Sequence, residues 1–450
     1  MRLTRLIFAI LLISVCLSGY VYATEEAQDL YPEADYPAWS PDGQHIGFQR
    51  DVADNMDIWL IHPDGTGLQQ VTTQSGLDRD PQWGPDSDTI YFTSDKSGKT
   101  RLWKKVLSTG AETQVLDKSF IEYTISHSGE QLIIEDERDD SVGLILIPVA
   151  TGEEIRWLAI GRHGDPANLQ AWSPDDHEVV FHKKGNFWAK KVADLSNLRQ
   201  LTTFTEEDRT LGRPNWGPSG YIVFQSNFKI YKVRPNGTGL TCIFEDAESY
   251  AENPSWSPTG KLVFARRTAD SKELWTMNGD GTGLTQLTHT VATPEFSPDS
   301  GSCGASQNIT ISCSTSGAAI HYTIDGTDPT ESSTLYTSQF TIQGDVTVKA
   351  KGWKTDYFPS EVKTGIYTSG VVKPAFDPDG GTYTGTQYVM MTCDTPSATI
   401  RYTTDGTDPT ESSPLYDNEL EISSNTTVKA KAFKDGCPAS DVKSAQYVIQ

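Results

Sequence analysis

The stretch Pro37-Ala38-Trp39-Ser40-Pro41-Asp42-Gly43 decides the fold, because it returns along the first two thirds of the chain at a near-constant interval. Its central residue, which we call the anchor, is tryptophan in five copies and isoleucine in one worn copy: Trp39, Trp83, Ile125, Trp172, Trp216 and Trp256. Anchors recur about every 40 to 47 residues, which is the length of one four-stranded β-propeller blade. The spacing therefore predicts six blades.

Each copy also contains the parts of a blade. In the first copy the turn after the anchor precedes an apolar run, His45–Phe48, and a second run follows at Asp57–Ile61. The turn Asp64-Gly65-Thr66-Gly67-Leu68 then leads to a third run ending at Val71-Thr72. Asp-Gly between apolar runs is a strong hairpin signal. Together with the anchor strand, each copy predicts four strands.

These motifs resemble the propeller repeats of TolB and of the dipeptidyl-peptidase IV and tricorn-protease families. The resemblance rests on the Trp-Ser-Pro-Asp-Gly anchor, the Ile-Trp strand, the Asp-Gly-Thr-Gly-Leu turn and the terminal Leu-Thr, and it covers residues 30–293. It implies a six-bladed β-propeller. In such families the propeller binds or filters, while a separate domain often does other work.

The first residues predict export. Residues 1–23 combine Arg2 and Arg5 with an apolar core and a small-residue cleavage site, which is typical of a secretory signal peptide. Cys16 raises the alternative of a lipoprotein, although Val15 is large for that motif. We expect a periplasmic, cell-surface or secreted protein without a membrane span.

The charge of the chain limits its partners. The formal net charge is −23, and removal of the leader makes the protein more acidic. Such a chain repels nucleic acid and anionic lipid, so neither is an expected partner. The charge fits solubility better than an acidic docking surface or calcium loading.

The C-terminal third is a tandem repeat. Pro294-Glu295-Phe296-Ser297-Pro298-Asp299 looks like a seventh anchor, but no blade follows it. Instead the segment recurs 80 residues later, from Pro374, and the repeat continues without a gap; Asp325–Ser333 returns letter for letter from Asp405. Apolar and polar residues alternate as in strands with one buried face. We expect two β-sandwich modules, residues 294–369 and 370–450, which makes the chain all-β.

Both modules resemble the chitobiase/β-hexosaminidase C-terminal domain, also described as the glycoside hydrolase family 29 type β-sandwich. The resemblance is carried by Tyr-Thr-x-Asp-Gly-Thr-Asp-Pro-Thr-x-Ser-Ser-x-Leu-Tyr, from Tyr322 and from Tyr402. It implies an immunoglobulin-like sandwich that accompanies enzymes and surface proteins, with a suspected association with carbohydrate. The aromatic residues Trp353, Tyr357 and Phe358 would then be the ones to stack on sugars.

Two further patterns in this part of the chain have structural and functional interpretations. The Asp325-Gly326-Thr327-Asp328 turn could hold calcium, but a hairpin turn selects the same residues, and we favour the turn. Cys313 and Cys393 fall on the inward phase of their strands and are expected to be small core residues. Pairing among the remaining cysteines, Cys242, Cys303 and Cys437, stays open.

The loops that precede the anchors are the candidate site, because in a propeller they meet at one mouth of the central channel. They carry mixed charges and aromatic residues. The predicted binding residues are Asp35, Arg79, Asp80, His163, Arg213, Tyr250 and Glu252. The alternative is a set of solvated loops with no ligand.

The sequence offers no catalytic signature. There is no Gly-x-Ser-x-Gly elbow, P-loop or dinucleotide fingerprint. His177 and His182 frame a motif similar to a zinc site, but five residues apart on a strand they face opposite sides. We therefore predict no catalytic residues, no metal and no cofactor.

Three functions remain. The favoured one is an exported non-catalytic binding or scaffold protein, whose propeller mouth recognises an envelope or extracellular protein or peptide while the sandwiches act as spacer or anchor. The second is a carbohydrate-binding surface or periplasmic protein. The third is a lyase or hydrolase site in the propeller mouth, for which His163 is the one histidine in a mouth loop.

Overall fold

The computed structural model describes residues 33–52, 55–138, 141–162, 170–193, 198–205, 212–268, 271–300, 306–368, 370–435 and 437–450. All regular elements in these ranges are β-strands, which confirms the all-β class. The expected signal peptide, residues 1–23, and Cys16 lie outside the described residues. The chain divides into two compact units, one formed mainly by residues up to 283 and one mainly by residues 284–450, to which 44–46 and 60–69 also group.

Six four-stranded antiparallel sheets form the first part, and each uses four consecutive strands. The strands are β1 (Ala34–Trp39), β2 (Ile46–Val52), β3 (Asn55–Ile61) and β4 (Gln69–Gln70); β5 (Asp78–Trp83), β6 (Thr89–Ser94), β7 (Arg101–Val106) and β8 (Glu112–Leu116); β9 (Tyr123–Ile125), β10 (Gln131–Arg138), β11 (Ser141–Pro148) and β12 (Arg156–Arg162); β13 (Gln170–Trp172), β14 (Glu178–Lys183), β15 (Asn186–Lys191) and β16 (Arg199–Gln200); β17 (Asn215–Trp216), β18 (Ile222–Ser226), β19 (Lys229–Val233) and β20 (Thr241–Phe244); β21 (Tyr250–Trp256), β22 (Lys261–Arg267), β23 (Lys272–Asn278) and β24 (Thr285–Gln286).

The first strands of these sheets are the inner strands of a ring. The inner strands of neighbouring sheets contact each other in sequence order, and β1 also contacts β21, so the ring closes. Every sheet is built from consecutive strands, so none of the six borrows a strand from the other end of the ring. The described residues thus contain one sheet for each repeat. The count of six blades in the complete ring stays a prediction.

The anchor tryptophans join neighbouring blades, which explains why they recur. Trp83 is buried, and its indole Nε1 donates to the carbonyl oxygen of Ala38 on the preceding inner strand at 2.9 Å. Trp172 repeats the contact with Thr124, at 3.4 Å. Gly217 also needs its missing side chain, because an added Cβ would lie 2.4 Å from Cγ of Trp256 in the next blade. The repeat therefore encodes contacts between blades as well as strands within them.

Two sandwich modules form the C-terminal part, each with a three-stranded and a four-stranded sheet. The first contains β25 (Glu295–Ser297), β26 (Ser306–Ser312), β27 (Ala319–Thr323), β28 (Thr334–Leu335), β29 (Phe340–Gln343), β30 (Val346–Trp353) and β31 (Lys363–Tyr367). The second contains β32 (Ala375–Asp377), β33 (Gly381–Tyr383), β34 (Gln387–Thr392), β35 (Thr399–Thr403), β36 (Leu420–Ile422), β37 (Thr426–Phe433) and β38 (Lys443–Ile449).

The apparent seventh anchor belongs to the first sandwich, as the sequence repeat indicates. Its strand, β25, pairs with β26 and starts no blade. In each module apolar side chains from both sheets form one core, with Phe296 and Tyr367 in the first and their counterparts Phe376 and Tyr447 in the second. The exact boundaries, residues 294–369 and 370–450, stay proposals.

The cysteines differ in state. Cys313 and Cys393 pack against the two sandwich cores, as expected from their inward phase, and both are free thiols. Cys242 is free and exposed. Cys437 is disulfide-bonded, and Cys303 lies outside the described residues.

Candidate functional site

The six inner strands enclose a central channel with a cavity of about 460 Å³. All six strands run from the loop before the anchor to the turn after it. Residues before the anchors, such as Tyr36 and Arg213, therefore lie at one end, which we call the pre-anchor mouth. Residues of the turns after the anchors, such as Pro41 and Pro258, lie at the other end, the anchor-turn mouth. In the wall between them, the amide of Gln170 is buried without a hydrogen-bond partner among the described residues.

The residue three places before the anchor lies at the pre-anchor end of the inner strand in the blades where it is described. In three blades this residue, Tyr36, Asp80 or Asn253, has a positive φ of 50–58° and is followed by proline. In the second and sixth blades the pairing register also shifts at this point, as in a β-bulge. Proline has no N–H for the ladder, so the bulge follows from the local sequence. The bulges interrupt the regular alternation of side chains along these strands at the pre-anchor mouth.

Arg213 extends across the channel at this level. Its guanidinium lies 3.1 Å from Asp80 Oδ1 and 3.6 Å from Glu122 Oε1, and its Cζ lies 4.8 Å from the ring centre of Tyr36. It therefore joins the fifth blade to the first, second and third. Tyr123 adds a hydrogen bond from its hydroxyl to the carbonyl oxygen of Asp80, at 2.5 Å. Arg213 lines the cavity at its pre-anchor end.

Electrostatics fixes the protonation states around Arg213. Burial alone would lower the pKa of Arg213, but Asp80 and Glu122 raise it above its ordinary value. Burial raises the pKa of Tyr36 and of Tyr123 well above the usual value for tyrosine. At neutral pH the guanidinium is charged and both phenols are neutral. The cluster is therefore suited to stabilising the inner strands through a fixed charge, and it is not suited to proton transfer.

A second buried cluster joins the first and last blades. The Lys272 ammonium pairs with Asp35, with Glu252 at 2.6 Å and with Glu33 at 3.6 Å. Burial alone would lower the pKa of Lys272, but Asp35 and Glu252 raise it above its ordinary value. A backbone bridge between Glu33 and Lys272 lies beside these pairs. The ring is thus closed by ion pairs where β1 meets the sixth blade.

The structure divides the predicted binding residues into two groups. Asp35 and Glu252 are engaged with Lys272, and Asp80 with Arg213. These residues and Arg213 are buried or half-buried parts of the two clusters. Arg79 is exposed, and Tyr250 is 50% exposed. His163 lies outside the described residues. Only Arg79 and Tyr250, among the described residues of the predicted set, offer side chains to solvent.

Sequence reasoning left Lys272 and Phe228 out of the predicted set. Lys272 begins a strand behind the mouth loops, and no signal in its own repeat marks it. Phe228 lies in the turn between β18 and β19, with its ring centre 4.4 Å from that of Tyr250. Both Asn227 and Phe228 have positive φ, at 49° and 62°. Asn227 between two apolar runs is a signal for a hairpin with a two-residue loop. This signal could have placed Phe228 at this mouth.

The described residues contain no group of three or more His, Cys, Asp or Glu side chains placed to hold a metal ion. In the zinc-like motif, His177 is exposed at the start of the strand while His182 is buried. In the sandwiches, Asp325 Oδ1 accepts hydrogen bonds from the Thr327 backbone N–H at 3.0 Å and hydroxyl at 2.6 Å. These bonds lower the pKa of Asp325 and form the structural turn that the sequence favours. No helix in the described ranges is long and apolar enough to cross a membrane.

The aromatic residues proposed for sugar stacking do not form a common exposed surface. Phe358 is 2% exposed, which makes it a core residue and not a sugar platform. Trp353 is half-buried beside His321, and Tyr357 lies under the ammonium of Lys354.

The geometry defines a β-propeller with a closed ring, followed by paired β-sandwich modules. The family model of the TolB beta propeller domain matches residues 32–220, and that of the chitobiase/beta-hexosaminidase C-terminal domain matches residues 298–364 and 378–444. The chain therefore carries a TolB-type propeller and two chitobiase/β-hexosaminidase C-terminal domains. This combination fits a binding or scaffold role.

Individual relatives cover limited parts of the chain. An uncharacterized protein of Agrobacterium fabrum is 24% identical over 154 residues, 32% of this chain and 52% of the relative. A protein TolB homolog of Chlorobium luteolum is 31% identical over 74 residues, 16% of this chain and 17% of the relative. The chain thus spans about half the length of the first and about a sixth of the second.

Solved structures show similar folds at low identity. A putative TolB from Agrobacterium tumefaciens has a TM-score of 0.42 and 21% identity, covering 49% of this chain and 84% of that chain. TolB from Acinetobacter baumannii has a TM-score of 0.43 and 17% identity, covering 55% and 61%. An oligogalacturonate lyase from Vibrio parahaemolyticus has a TM-score of 0.41 and 16% identity, covering 58% and 79%.

Proposed function

We propose that this chain is an exported, non-catalytic binding protein whose pre-anchor mouth recognises a protein or peptide partner, with the sandwich modules as spacer or anchor. The observation that carries the proposal is the arrangement of this mouth. Arg79 and Tyr250 are exposed there, on a base of bulged inner strands held by the buried Arg213 and Lys272 clusters. A rigid base reduces the entropy lost on binding, because the backbone that carries these side chains is already ordered.

Export is supported by two independent features. The N-terminal residues have the pattern of a secretory signal peptide. Cys437 is disulfide-bonded, which fits an oxidising compartment outside the cytoplasm. We therefore expect the partner among envelope or extracellular proteins. The net charge of −23 also favours partners that carry basic segments.

A crosslinking pull-down from envelope extract tests the proposal, using the full-length protein as bait. Arg79→Glu reverses an exposed charge at the pre-anchor mouth and should lose the partner. Lys261→Glu makes the same reversal at an exposed site beside the anchor-turn mouth and should retain it. Arg213 and Glu252 are unsuitable for this test because their reversal disrupts buried ion pairs. Equal recovery of every partner by both variants would contradict the proposal.

A further inference from the structure

The turn between β18 and β19 holds an aromatic side chain in an unfavourable backbone conformation. Asn227 and Phe228 form the two-residue loop, since Ser226 pairs with Lys229. Both loop residues have positive φ, as a type I′ turn requires. Asparagine tolerates this region, but for a bulky residue such as phenylalanine it is an outlier. Strain of this kind is frequently retained at functional sites.

The fourth blade shows that the fold does not require an aromatic residue there. Its corresponding hairpin closes through Lys184 and Gly185, since Lys183 pairs with Asn186. Glycine occupies the second loop position, with φ of 73°, where Phe228 has 62°. The same turn is therefore built elsewhere in this chain with glycine, which adopts this φ without strain, at the second loop position. The geometry of the two-residue turn therefore does not require phenylalanine at position 228.

The half-buried Phe228 and the exposed Tyr250 form an aromatic pair at the pre-anchor mouth. Their ring centres lie 4.4 Å apart with an interplanar angle of 42°, and Tyr250 is 50% exposed. The Ala251 N–H donates to the carbonyl oxygen of Phe228 at 3.0 Å, which fixes the turn to the inner strand β21. The half-buried ring of Phe228 thus supports the accessible ring of Tyr250, and aromatic side chains held in this way are common anchors of binding interfaces.

The charges beside the pair are negative once the local ion pairs are counted. Glu245 pairs with Lys229 at 2.6 Å, and Asp246 pairs with Arg266. Arg267, which lies opposite Tyr250 in the ladder, pairs with Glu33 at 2.6 Å. Glu248, two residues before Tyr250, is exposed and has no ion pair among the described residues. The ring quadrupole of Tyr250 and the charge of a carboxylate in the same loop would both attract a cation.

We propose that Phe228, Tyr250 and Glu248 form a subsite that binds a cationic side chain, arginine or lysine, of the partner. The guanidinium or ammonium group would lie on the aromatic pair and face the Glu248 carboxylate. This inference rests on the proposed function, because it names the chemistry that the pre-anchor mouth recognises. Complementarity between this subsite and a basic segment agrees with the acidity of the whole chain.

Fluorescence anisotropy with model peptides tests the subsite on the full-length protein. The probe is a labelled peptide of alternating arginine and glycine, with matched peptides that carry citrulline or glutamate instead of arginine. We expect the arginine peptide to bind at least tenfold more tightly than either. Phe228→Gly and Tyr250→Ala should each weaken its binding at least fivefold. Glu248→Gln should weaken it less and reduce its dependence on salt.

The matched controls separate the subsite from general attraction to an acidic protein. Tyr388→Ala removes an aromatic side chain that is 57% exposed on the second sandwich, and Glu331→Gln neutralises an exposed carboxylate of the first. Both should bind the arginine peptide like the parent protein. Phe228→Gly should also unfold at the same temperature as the parent or a higher one, because glycine relieves the strain.

Two results would overturn the inference. One is equal binding of the arginine peptide by Phe228→Gly, Tyr250→Ala and the parent protein. The other is a loss of binding in Phe228→Gly accompanied by a lower unfolding temperature, which would make Phe228 structural. The proposed function fails separately: a partner lost with Arg79→Glu but kept with Phe228→Gly supports the mouth and contradicts only the subsite.

Discussion

At the scale of single residues, burial decides what each charged side chain does. Arg79 and Arg213 both precede anchors and look alike in sequence, yet Arg79 is exposed and Arg213 spans the channel to Asp80 and Glu122. Replacing Arg213 removes the partner of buried carboxylates, whereas replacing Arg79 changes only the surface. Replacing Arg79 therefore tests binding at the surface, whereas replacing Arg213 tests the stability of the fold.

Asp78 provides a test of this view through pH. It is 1% exposed, its Oδ1 has no hydrogen-bond partner among the described residues, and burial raises its pKa. A raised pKa means that the folded state holds the proton more tightly than the unfolded chain. Its contribution to stability is therefore present at low pH and is lost as pH rises above the ordinary aspartate range.

We expect Asp78→Asn to raise the free energy of unfolding at neutral pH by about 1–3 kcal/mol, with the gain vanishing in acid. Denaturant unfolding at a series of pH values measures this difference. The control is Asp117→Asn, because Arg101 lowers the pKa of the exposed Asp117 and the pH dependence should have the opposite sign. A gain for Asp78→Asn that is independent of pH would contradict the argument.

The sequence predicts residue roles only where they repeat. The anchors are periodic, so their place on the inner strands could be predicted from spacing alone. The partners of Arg213 come from three other blades, and which side chains meet across a channel depends on how the ring closes. Lys272 shows the same limit, since its partners Glu33 and Asp35 lie more than two hundred residues earlier. Long-range charge pairing leaves no periodic signal.

At the scale of elements, the ring closes through the contacts of β1 with the sixth blade. It is the inner strand of the first blade, it contacts β21, β22 and β23 of the sixth, and Lys272 holds it there through Asp35. A strand shared between the two ends would close a ring by backbone hydrogen bonds. In this propeller each blade is complete, and buried ion pairs take that role.

We expect Lys272→Met to destabilise the propeller by about 3–5 kcal/mol, because three carboxylates lose a buried cation. Lys229→Met removes a lysine paired with the exposed Glu245 and should change the free energy of unfolding far less, because solvent screens this pair. Tryptophan fluorescence during denaturant unfolding follows the propeller, because Trp353 is the one tryptophan after residue 290. Equal midpoints for the two variants would show that the Lys272 cluster does not hold the ring closed.

At the scale of the whole molecule, the sandwich modules repeat the same structural features, whereas the propeller loops differ from one another. The two sandwich modules repeat the same turn, in which Asp325 and Asp405 each bind the threonine two residues later. Such duplication suits a spacer or an anchor. The described loops of the pre-anchor mouth instead differ in sequence from blade to blade. The exposed Arg79 and Tyr250 and the half-buried Phe228 have no copies in the other blades, as expected of a surface that recognises one partner.

Site-specific photo-crosslinking in living cells tests the central claim most directly. A photo-reactive amino acid replaces Arg79 at the pre-anchor mouth, and in a matched protein it replaces Lys261 beside the anchor-turn mouth. We predict a discrete crosslinked protein from position 79 and none from position 261. Crosslinks from position 261 alone, or from neither position, would contradict the claim that the pre-anchor mouth binds a partner.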